Sequence, residues 1–241
     1  EGMYHNLNTL QSRSGNQLPF TSINYGTCTL PEGRLVTKCL IEGSIKGVGK
    51  LHKTSIFPCG IFQCMKGVNR EPGDPNYDLF KLACEVSAKR LFPNFSFIDS
   101  PFNLQYYKPG DFSTEVGYMG CRTRVLANVC GPQVTPGRGN LSFTSINLPR
   151  LGIKHGIALG ERDKADMKAF YKELDEIMDL VKGQLLQRFE CQCSKSRANF
   201  KFLLGSHVWI NSEKLDTNSK LRTVLKHGTL SIGFIGLAEC L

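Results

Sequence analysis

The sequence lacks any long uninterrupted apolar run. A membrane-spanning helix needs about 20 consecutive, mainly apolar residues, so no such helix is predicted. The first residues, Glu1-Gly2-Met3-Tyr4, also lack the basic and then apolar pattern of a secretory signal. These two absences predict a soluble, cytoplasmic protein that has no membrane partner.

The sequence also lacks any basic run, although its net charge is +9. Its 30 Lys and Arg residues are scattered and mark no basic helix face. Nucleic-acid binding is typically marked by clustered basic residues, so a solvated basic surface is favoured over a nucleic-acid partner. Nucleotides are anions too, and the charge does not choose among them.

No two of the ten cysteines have the C-x-x-C spacing of a structural zinc site, so no metal site is predicted. In the absence of a secretory signal, a disulfide framework is not expected either. Cys39, Cys59 and Cys84 stand in apolar segments and are interpreted as small buried side chains. Ten thiols fit a reducing or anaerobic cytoplasm.

Hydrophobic periodicity predicts alternating helices and strands. Helices are predicted from Pro31 to a stop at Gly47 or Gly49, and over 78–91, 161–190 and 214–225; strands are predicted over 55–62, 95–98, 141–148 and 229–235. This alternation favours an α/β fold with parallel pairing. No linker rich in Ser, Pro or Gly separates two cores, so a single domain is predicted over 1–241.

Two further features point to function. Residues 103–140 show no clear period and contain many Gly and Pro, and such long irregular stretches are usually functional or disordered. The segment Phe20-Thr21-Ser22-Ile23-Asn24 recurs as Phe143-Thr144-Ser145-Ile146-Asn147. Both copies are predicted to be strands, with Asn24 and Asn147 near the same end of one barrel. The alternative is a chance repeat of strand composition.

Four segments in order resemble the anaerobic (class III) ribonucleoside-triphosphate reductases, a family of glycyl-radical enzymes. They are HNLNT with SRSGNQLPFTSINYG in 5–26, MGCRTRV at 119–125, GRGNLSF through NLPR in 137–150, and GFIGLAE at 233–239. The resemblance implies part of a ten-stranded α/β barrel built from two parallel half-barrels, with a central finger loop. It also implies an oxidoreductase that makes DNA precursors.

The resemblance identifies Cys121 as the catalytic cysteine at the tip of the finger loop. In the family this cysteine becomes a thiyl radical, takes the 3′ hydrogen of the ribose and lets the 2′ hydroxyl leave as water. The chemistry agrees, because an S–H bond is comparable in strength to the C–H bond attacked. Gly117 and Gly120 permit a tight backbone path beside it. The alternative is that Cys121 is one structural thiol among ten.

Three asparagines are candidates for the polar partner of the substrate. The resemblance favours Asn140 as a catalytic residue that positions the ribose or the reductant. Asn147 and, more weakly, Asn24 are predicted substrate-binding residues for the same site. The alternative is that these asparagines cap strand ends or form turns. Arg122 and Arg124 could bind phosphate, but they are expected instead to anchor the loop by salt bridges.

The remaining parts of such an enzyme are expected outside this sequence. They are the loop that carries the glycyl radical, a zinc site and allosteric sites for ATP and deoxynucleotides. The resemblance further implies ribonucleoside triphosphate substrates, formate as reductant, a radical-SAM activating enzyme and a homodimeric parent. The chain is therefore expected to be a barrel fragment, truncated at both ends, that is inactive in isolation.

Two other functions remain open at this point. One is a non-catalytic nucleotide-binding barrel module. The other is a different glycyl-radical enzyme, such as a relative of the formate lyases. Those relatives commonly place two adjacent cysteines at the loop tip, whereas Cys121 is flanked by Gly120 and Arg122.

Overall fold

The computed structural model describes residues 1–10, 18–120 and 123–241, which divide into two compact units, Glu1–Pro136 and Gly137–Leu241. Both units mix helices with parallel strands. The prediction of a single domain over 1–241 stays a prediction, because two compact units are compatible with one domain or with two. Within the described ranges, no helix is both long and apolar enough to cross a membrane.

The first unit is built on a parallel sheet in the order β1-β2-β3. Each crossover between neighbouring strands carries a helix, the arrangement that parallel pairing requires. The predicted α/β alternation with parallel pairing is therefore confirmed here. The elements are α1 Gly2–Thr9, β1 Ser22–Tyr25, α2 Pro31–Lys46, β2 Cys59–Cys64, α3 Tyr77–Arg90 and β3 Asn94–Phe97.

Helix α2 begins and ends where its sequence predicts. Pro31 occupies the first turn, where its missing N–H costs nothing, and Glu32 beside it suits the positive end of the helix. Lys46 lies in the last turn, and Gly47 follows with a φ of 75°. That left-handed conformation is one that glycine adopts without strain.

The core of the first unit lies between the sheet and helices α2 and α3. Strand β2 is buried along all six residues, as expected for a central strand covered on both faces. Phe62, which is fully buried, lies 6.1 Å from the ring of Phe80 and 6.0 Å from that of Phe95. The buried members of this core are Tyr25, Ile41, Phe62, Cys64, Leu79, Ala83 and Val86.

Two predictions in the first unit need correction. The strand predicted over 55–62 begins only at Cys59, because Pro58 has no N–H to donate to a ladder. The stretch predicted to be irregular contains a short 3₁₀ turn, Phe112–Thr114, and two antiparallel strands, β4 Gly117–Met119 and β5 Thr123–Val125. Strands of three residues are too short to show a period.

The second unit contains a parallel pair of strands, β6 and β7, with Ile146 opposite Phe234 and a bulge near the start of β6. One core packs Ile146, Leu151 and Leu185 between strand β6 and helices α4 and α5, and a second surrounds Leu204 and Val224. The elements are β6 Asn140–Asn147, α4 Leu148–His155, α5 Met167–Cys193, α6 Arg222–Leu225, β7 Thr229–Ile235 and α7 Leu237–Cys240.

The strands predicted over 141–148 and 229–235 are confirmed, but two helices differ from prediction. Helix α5 starts at Met167 instead of residue 161, because the Asp166 side chain accepts from the N–H of Ala169 and caps the helix there. Little of the helix predicted over 214–225 forms. The N–H of Asp216 bonds to the Ser219 hydroxyl, a local turn that competes with helix.

Both copies of the repeated segment take part in strands. Residues 22–24 lie in β1, after Phe20 and Thr21, and the whole second copy lies in β6. Asn24 is next to last in its strand and Asn147 is last. The ten-stranded barrel expected from the resemblance is not tested by these sheets and stays a prediction.

Candidate functional site

Two of the resembling segments meet in the first unit, at the face where β1 adjoins β4. The Asn24 side chain accepts from the N–H of Tyr118 at 2.8 Å and donates to the carbonyl of the same residue at 2.8 Å. Ser22, two residues earlier on the same face, accepts from the N–H of Gly120 at 2.9 Å through its Oγ. The first segment therefore holds the backbone that leads directly to Cys121.

The neighbouring strand extends this contact. Gln63, on β2 and buried, donates from its Nε2 to the carbonyl of Val116 at 2.9 Å. Side chains from two parallel strands thus bind the backbone of residues 116, 118 and 120. These are alternate residues of the segment that contains β4. Backbone groups of alternate strand residues face the same way, so this edge of β4 is turned toward the sheet.

Gly120 is the last described residue before Cys121, and both its backbone conformation and its close neighbour favour glycine. Its φ is 65°, and a Cβ at this position would lie 2.6 Å from Cε1 of Phe20. Phe20, the first residue of the repeat, packs edge-on against Phe57 with ring centroids 4.8 Å apart. Cys121 and Arg122 themselves lie outside the described residues, so the predicted loop position of Cys121 stays a prediction.

Arg124 anchors the other side of this segment. Its guanidinium lies 5.0 Å from the centre of the Phe102 ring and donates to Oδ1 of Asn103 at 3.3 Å. The expected anchoring role is supported, although the contacts are cation–π and hydrogen bonds instead of the salt bridge expected.

A cavity of about 350 Å³ adjoins the same residues. It lies where β1 ends and α2 begins, and ligands of parallel sheets commonly bind at the carboxyl ends of strands. Its lining residues include Asn24 on β1, Gln63 on β2, Thr27 and Cys28 in the loop after β1, and Glu32 on α2. The cavity therefore shares two residues, Asn24 and Gln63, with the contact that holds the segment before Cys121.

A half-buried carboxyl group lies next to this region. Glu115 accepts a hydrogen bond from the Thr27 hydroxyl at 3.3 Å, and burial raises the pKa of its carboxyl. Glu32 also lines the cavity. The Glu32 carboxylate disfavours a phosphate group in the cavity and can accept hydrogen bonds from hydroxyl groups.

Two asparagines that the sequence analysis missed fix the loop after β1. Asn69 and Asn76 are fully buried, and both donate to the carbonyl of Gly26. Asn69 also donates to the carbonyl of Gln63, and Asn76 to that of Cys28. They stand in a stretch rich in Gly, Pro and Asp, which predicts turns but not which carbonyls a side chain reaches.

The other two predicted asparagines lie in the second unit, at opposite ends of β6. A separation of seven residues in a strand corresponds to roughly 23 Å, so Asn140 and Asn147 do not share a small pocket within this unit. Asn140 accepts from the Ser231 hydroxyl at 3.3 Å and lines an open, largely apolar cavity of about 210 Å³ beside Trp209. Asn147 accepts from the N–H of Arg150 at 3.2 Å and caps α4.

The cysteines divide by position. Cys59 is buried as predicted, whereas Cys39 and Cys84 are exposed, because they lie off the buried faces of α2 and α3. Burial raises the pKa of the Cys64 thiol to about 12, which keeps it protonated and unreactive as a nucleophile. Within the described ranges, no three His, Cys, Asp or Glu residues are grouped to hold a metal ion.

Comparison with known proteins gives the same assignment as the motifs. The sequence profile of a family described as anaerobic ribonucleoside-triphosphate reductase matches residues 1–241. Proteins with that name from Haemophilus influenzae and Escherichia coli are each 32% identical, over 244 and 245 residues, covering 99% of this chain and 32% of each relative. One from Enterobacteria phage T4 is 30% identical over 239 residues, covering 98% of this chain and 38% of the relative.

The chain therefore spans about a third of the length of the curated relatives it matches. The match covers all four segments that carried the resemblance, including the two that meet between β1 and β4. The chain belongs to the anaerobic ribonucleoside-triphosphate reductase family.

Proposed function

We propose that this chain is the part of an anaerobic ribonucleotide reductase that carries the radical cysteine, Cys121, and that it acts on ribonucleoside triphosphates. The observation that supports this most directly is the convergence of two family segments. Ser22 of the first segment binds the N–H of Gly120, which immediately precedes Cys121 in the second, and Asn24 binds both backbone groups of Tyr118, just before the second segment.

The reaction places particular demands on the cysteine. A thiyl at Cys121 takes the 3′ hydrogen of the ribose, the 2′ hydroxyl leaves as water, and the hydrogen returns to C3′ at the end. Formate supplies two electrons and is oxidised to carbon dioxide, so one formate and one proton are consumed for each water released. The oxidising equivalent that makes the thiyl comes from a glycyl radical elsewhere in the parent protein.

The cavity at the end of β1 is the proposed site for the ribose. Its lining includes the hydroxyl of Thr27 and the carboxylate of Glu32, whereas the amide groups of Asn24 and Gln63 already bind the backbone of Tyr118 and Val116. A hydroxyl and a carboxylate form hydrogen bonds with ribose hydroxyls, and the negative charge of Glu32 is the reason why we propose that the triphosphate binds outside this cavity. Asn140 as a catalytic residue and Asn147 as a substrate ligand remain proposals carried by the family resemblance.

The parent protein supplies the rest. We propose that this chain forms part of its ten-stranded barrel, that the parent acts as a homodimer, and that a radical-SAM enzyme activates it. Zinc and allosteric nucleotide sites belong to other parts of the parent.

A chimaera tests the function. This chain replaces the matching third of a full-length relative, and the activated protein is assayed without oxygen for deoxyribonucleotide formed from ribonucleoside triphosphate and formate. Electron paramagnetic resonance of the glycyl radical reports whether the chimaera is folded and activated. We expect product from the chimaera, none from Cys121→Ala despite normal glycyl radical, and normal product from Cys191→Ala, which removes an exposed thiol.

Two results contradict the proposal. One is deoxyribonucleotide formation by the Cys121→Ala chimaera. The other is a chimaera that forms the glycyl radical and binds nucleotide but yields no product.

A further inference from the structure

The edge of β4 that faces the sheet is bound by side chains where another strand would otherwise lie. Strand β4 pairs with β5 through Tyr118 opposite Arg124, among others. Asn24 both donates to and accepts from Tyr118, as a residue of a neighbouring antiparallel strand would. The carboxamide therefore occupies the position of a peptide group in a ladder.

The contact has three points instead of one. Gln63 binds the carbonyl of Val116, Asn24 binds both backbone groups of Tyr118, and the Ser22 hydroxyl binds the N–H of Gly120. Ser22 and Asn24 share one face of β1, and Gln63 comes from the adjacent strand. Because these hydrogen bonds are made at every second residue over 116–120, they fix both the distance of this segment from the sheet and the direction in which it runs.

We propose that Ser22, Asn24 and Gln63 are positioning residues that set where Cys121 is presented. The proposal rests on the proposed function, because the position of Cys121 matters for catalysis only if that thiol carries the radical. Hydrogen abstraction needs the reacting atoms about 3–3.5 Å apart, so a small displacement of the thiol lowers the rate strongly. This assigns Asn24 a support role in place of the substrate contact predicted from the sequence.

The chemistry of Asn24 explains why an amide is required. Aspartate at this position can accept from the N–H of Tyr118, but its charge repels the carbonyl of Tyr118. Alanine makes neither bond. The second copy of the repeat provides matched controls, because Ser145 and Asn147 stand in the same sequence context and Asn147 caps α4 instead.

Site-resolved thiol labelling of the 241-residue chain tests the support. The rate of alkylation of Cys121 is measured by mass spectrometry, with the buried Cys59 and Cys64 as reporters of global unfolding and the exposed Cys191 as a reference. Losing one hydrogen bond is expected to move the Cys121 rate about fivefold toward its value in the denatured chain.

We expect this shift in Ser22→Ala and Asn24→Asp and a larger one in Asn24→Ala, with Cys59 and Cys64 unchanged. Ser22→Thr keeps the hydroxyl and is expected to restore the original rate. Ser145→Ala and Asn147→Ala are expected to leave the Cys121 rate unchanged. The proposal is overturned if Cys121 labelling does not move, or if it moves only together with Cys59 and Cys64.

The chimaera adds a catalytic readout. We expect Asn24→Ala to lower kcat about tenfold or more with KM for the nucleotide and the glycyl-radical content unchanged, because a displaced thiol slows hydrogen transfer. An unchanged kcat in Asn24→Ala, beside an inactive Cys121→Ala, contradicts the positioning role and leaves the proposed function standing. Product from Cys121→Ala contradicts the proposed function, whatever the labelling shows.

Discussion

The two copies of Phe-Thr-Ser-Ile-Asn share five residues and use them differently. In both copies the Ile side chain faces a core: Ile23 packs against that of the first unit, and Ile146 is buried in the second. The Asn side chains diverge. Asn24 reaches across to the backbone of Tyr118, whereas Asn147 turns onto the first turn of its own following helix.

The chain just beyond each strand explains the difference. Helix α4 begins at Leu148, directly after Asn147, so that side chain meets the unpaired N–H groups of a helix start. After Asn24, Tyr25 continues the strand and helix α2 begins only at Pro31. The start of a helix is therefore not adjacent to Asn24, and the edge of β4 provides its partners instead. The Asn of the same motif thus caps a helix in the second unit and forms hydrogen bonds with the edge of a strand in the first.

The largest loss of stability is expected for Asn69, whose side chain holds the loop that follows the first copy. Asn69→Ala removes the hydrogen bonds of this side chain to the Gln63 carbonyl and from the Met65 N–H, and it leaves Asn76 as the remaining side-chain donor to the Gly26 carbonyl. We expect a loss of about 3 kcal/mol in the free energy of unfolding in urea. Asn218→Ala, at an exposed turn, is the control. A loss below about 1 kcal/mol would mean that the hydrogen bonds of Asn69 contribute little to the stability of the folded chain.

Gly120→Ala tests whether the first residues of the two copies, Phe20 and Phe143, also differ in their contacts. A left-handed φ and a Cβ 2.6 Å from the Phe20 ring are expected to cost about 2 kcal/mol. The double variant Gly120→Ala/Phe20→Ala removes the ring that the new Cβ would meet, so it is expected to recover the part of the lost stability that comes from this steric contact. The recovered part is the coupling energy between the two substitutions. Phe143→Ala is the matched control, because Phe20 and Phe143 are both 68% exposed. Equal coupling of Gly120 to both rings argues against a specific contact.

Asn147→Ala tests the second copy and is expected to cost about 1 kcal/mol, the usual value of a lost helix cap. Asn147→Asp keeps an acceptor for the N–H of Arg150 and is expected to retain most of that stability. Hydrogen exchange of the α4 amides locates the effect. If Asn24→Ala frays α2 to the same degree, the two copies do not differ as described.

Glu115→Gln has the smallest expected effect and a pH dependence that identifies its cause. Burial raises the pKa of Glu115 above its ordinary value of 4.5, so the folded chain holds this proton more tightly than the unfolded chain. The contribution of protonated Glu115 to the free energy of unfolding is therefore fully present below about pH 4.5, and it is lost as the pH rises through the pKa of the folded chain. We expect Glu115→Gln to raise Tm at about pH 7 and to have no such effect at about pH 4. A rise that is independent of pH contradicts this account.

Parts of the fold were predictable because the signals were local. Pro31 and Gly47 marked the ends of α2, and the alternating residues of β7 indicated a strand. Other signals were present but outweighed by periodicity: Asp166 as a cap and Pro58 as the residue before a strand. The contact between Asn24 and Tyr118 joins residues 94 positions apart, and no local pattern encodes it. The resemblance identified both segments without indicating that they touch.

The most direct test of the difference between the copies is amide hydrogen exchange of Tyr118 and Gly120 in the folded 241-residue chain. Four variants are compared: Ser22→Ala and Asn24→Ala in the first copy, Ser145→Ala and Asn147→Ala in the second. We predict that Ser22→Ala speeds exchange at Gly120 and Asn24→Ala at Tyr118, each by about fivefold, while the second-copy variants change neither. Unchanged exchange in the first-copy variants, or equal acceleration by all four, contradicts the account.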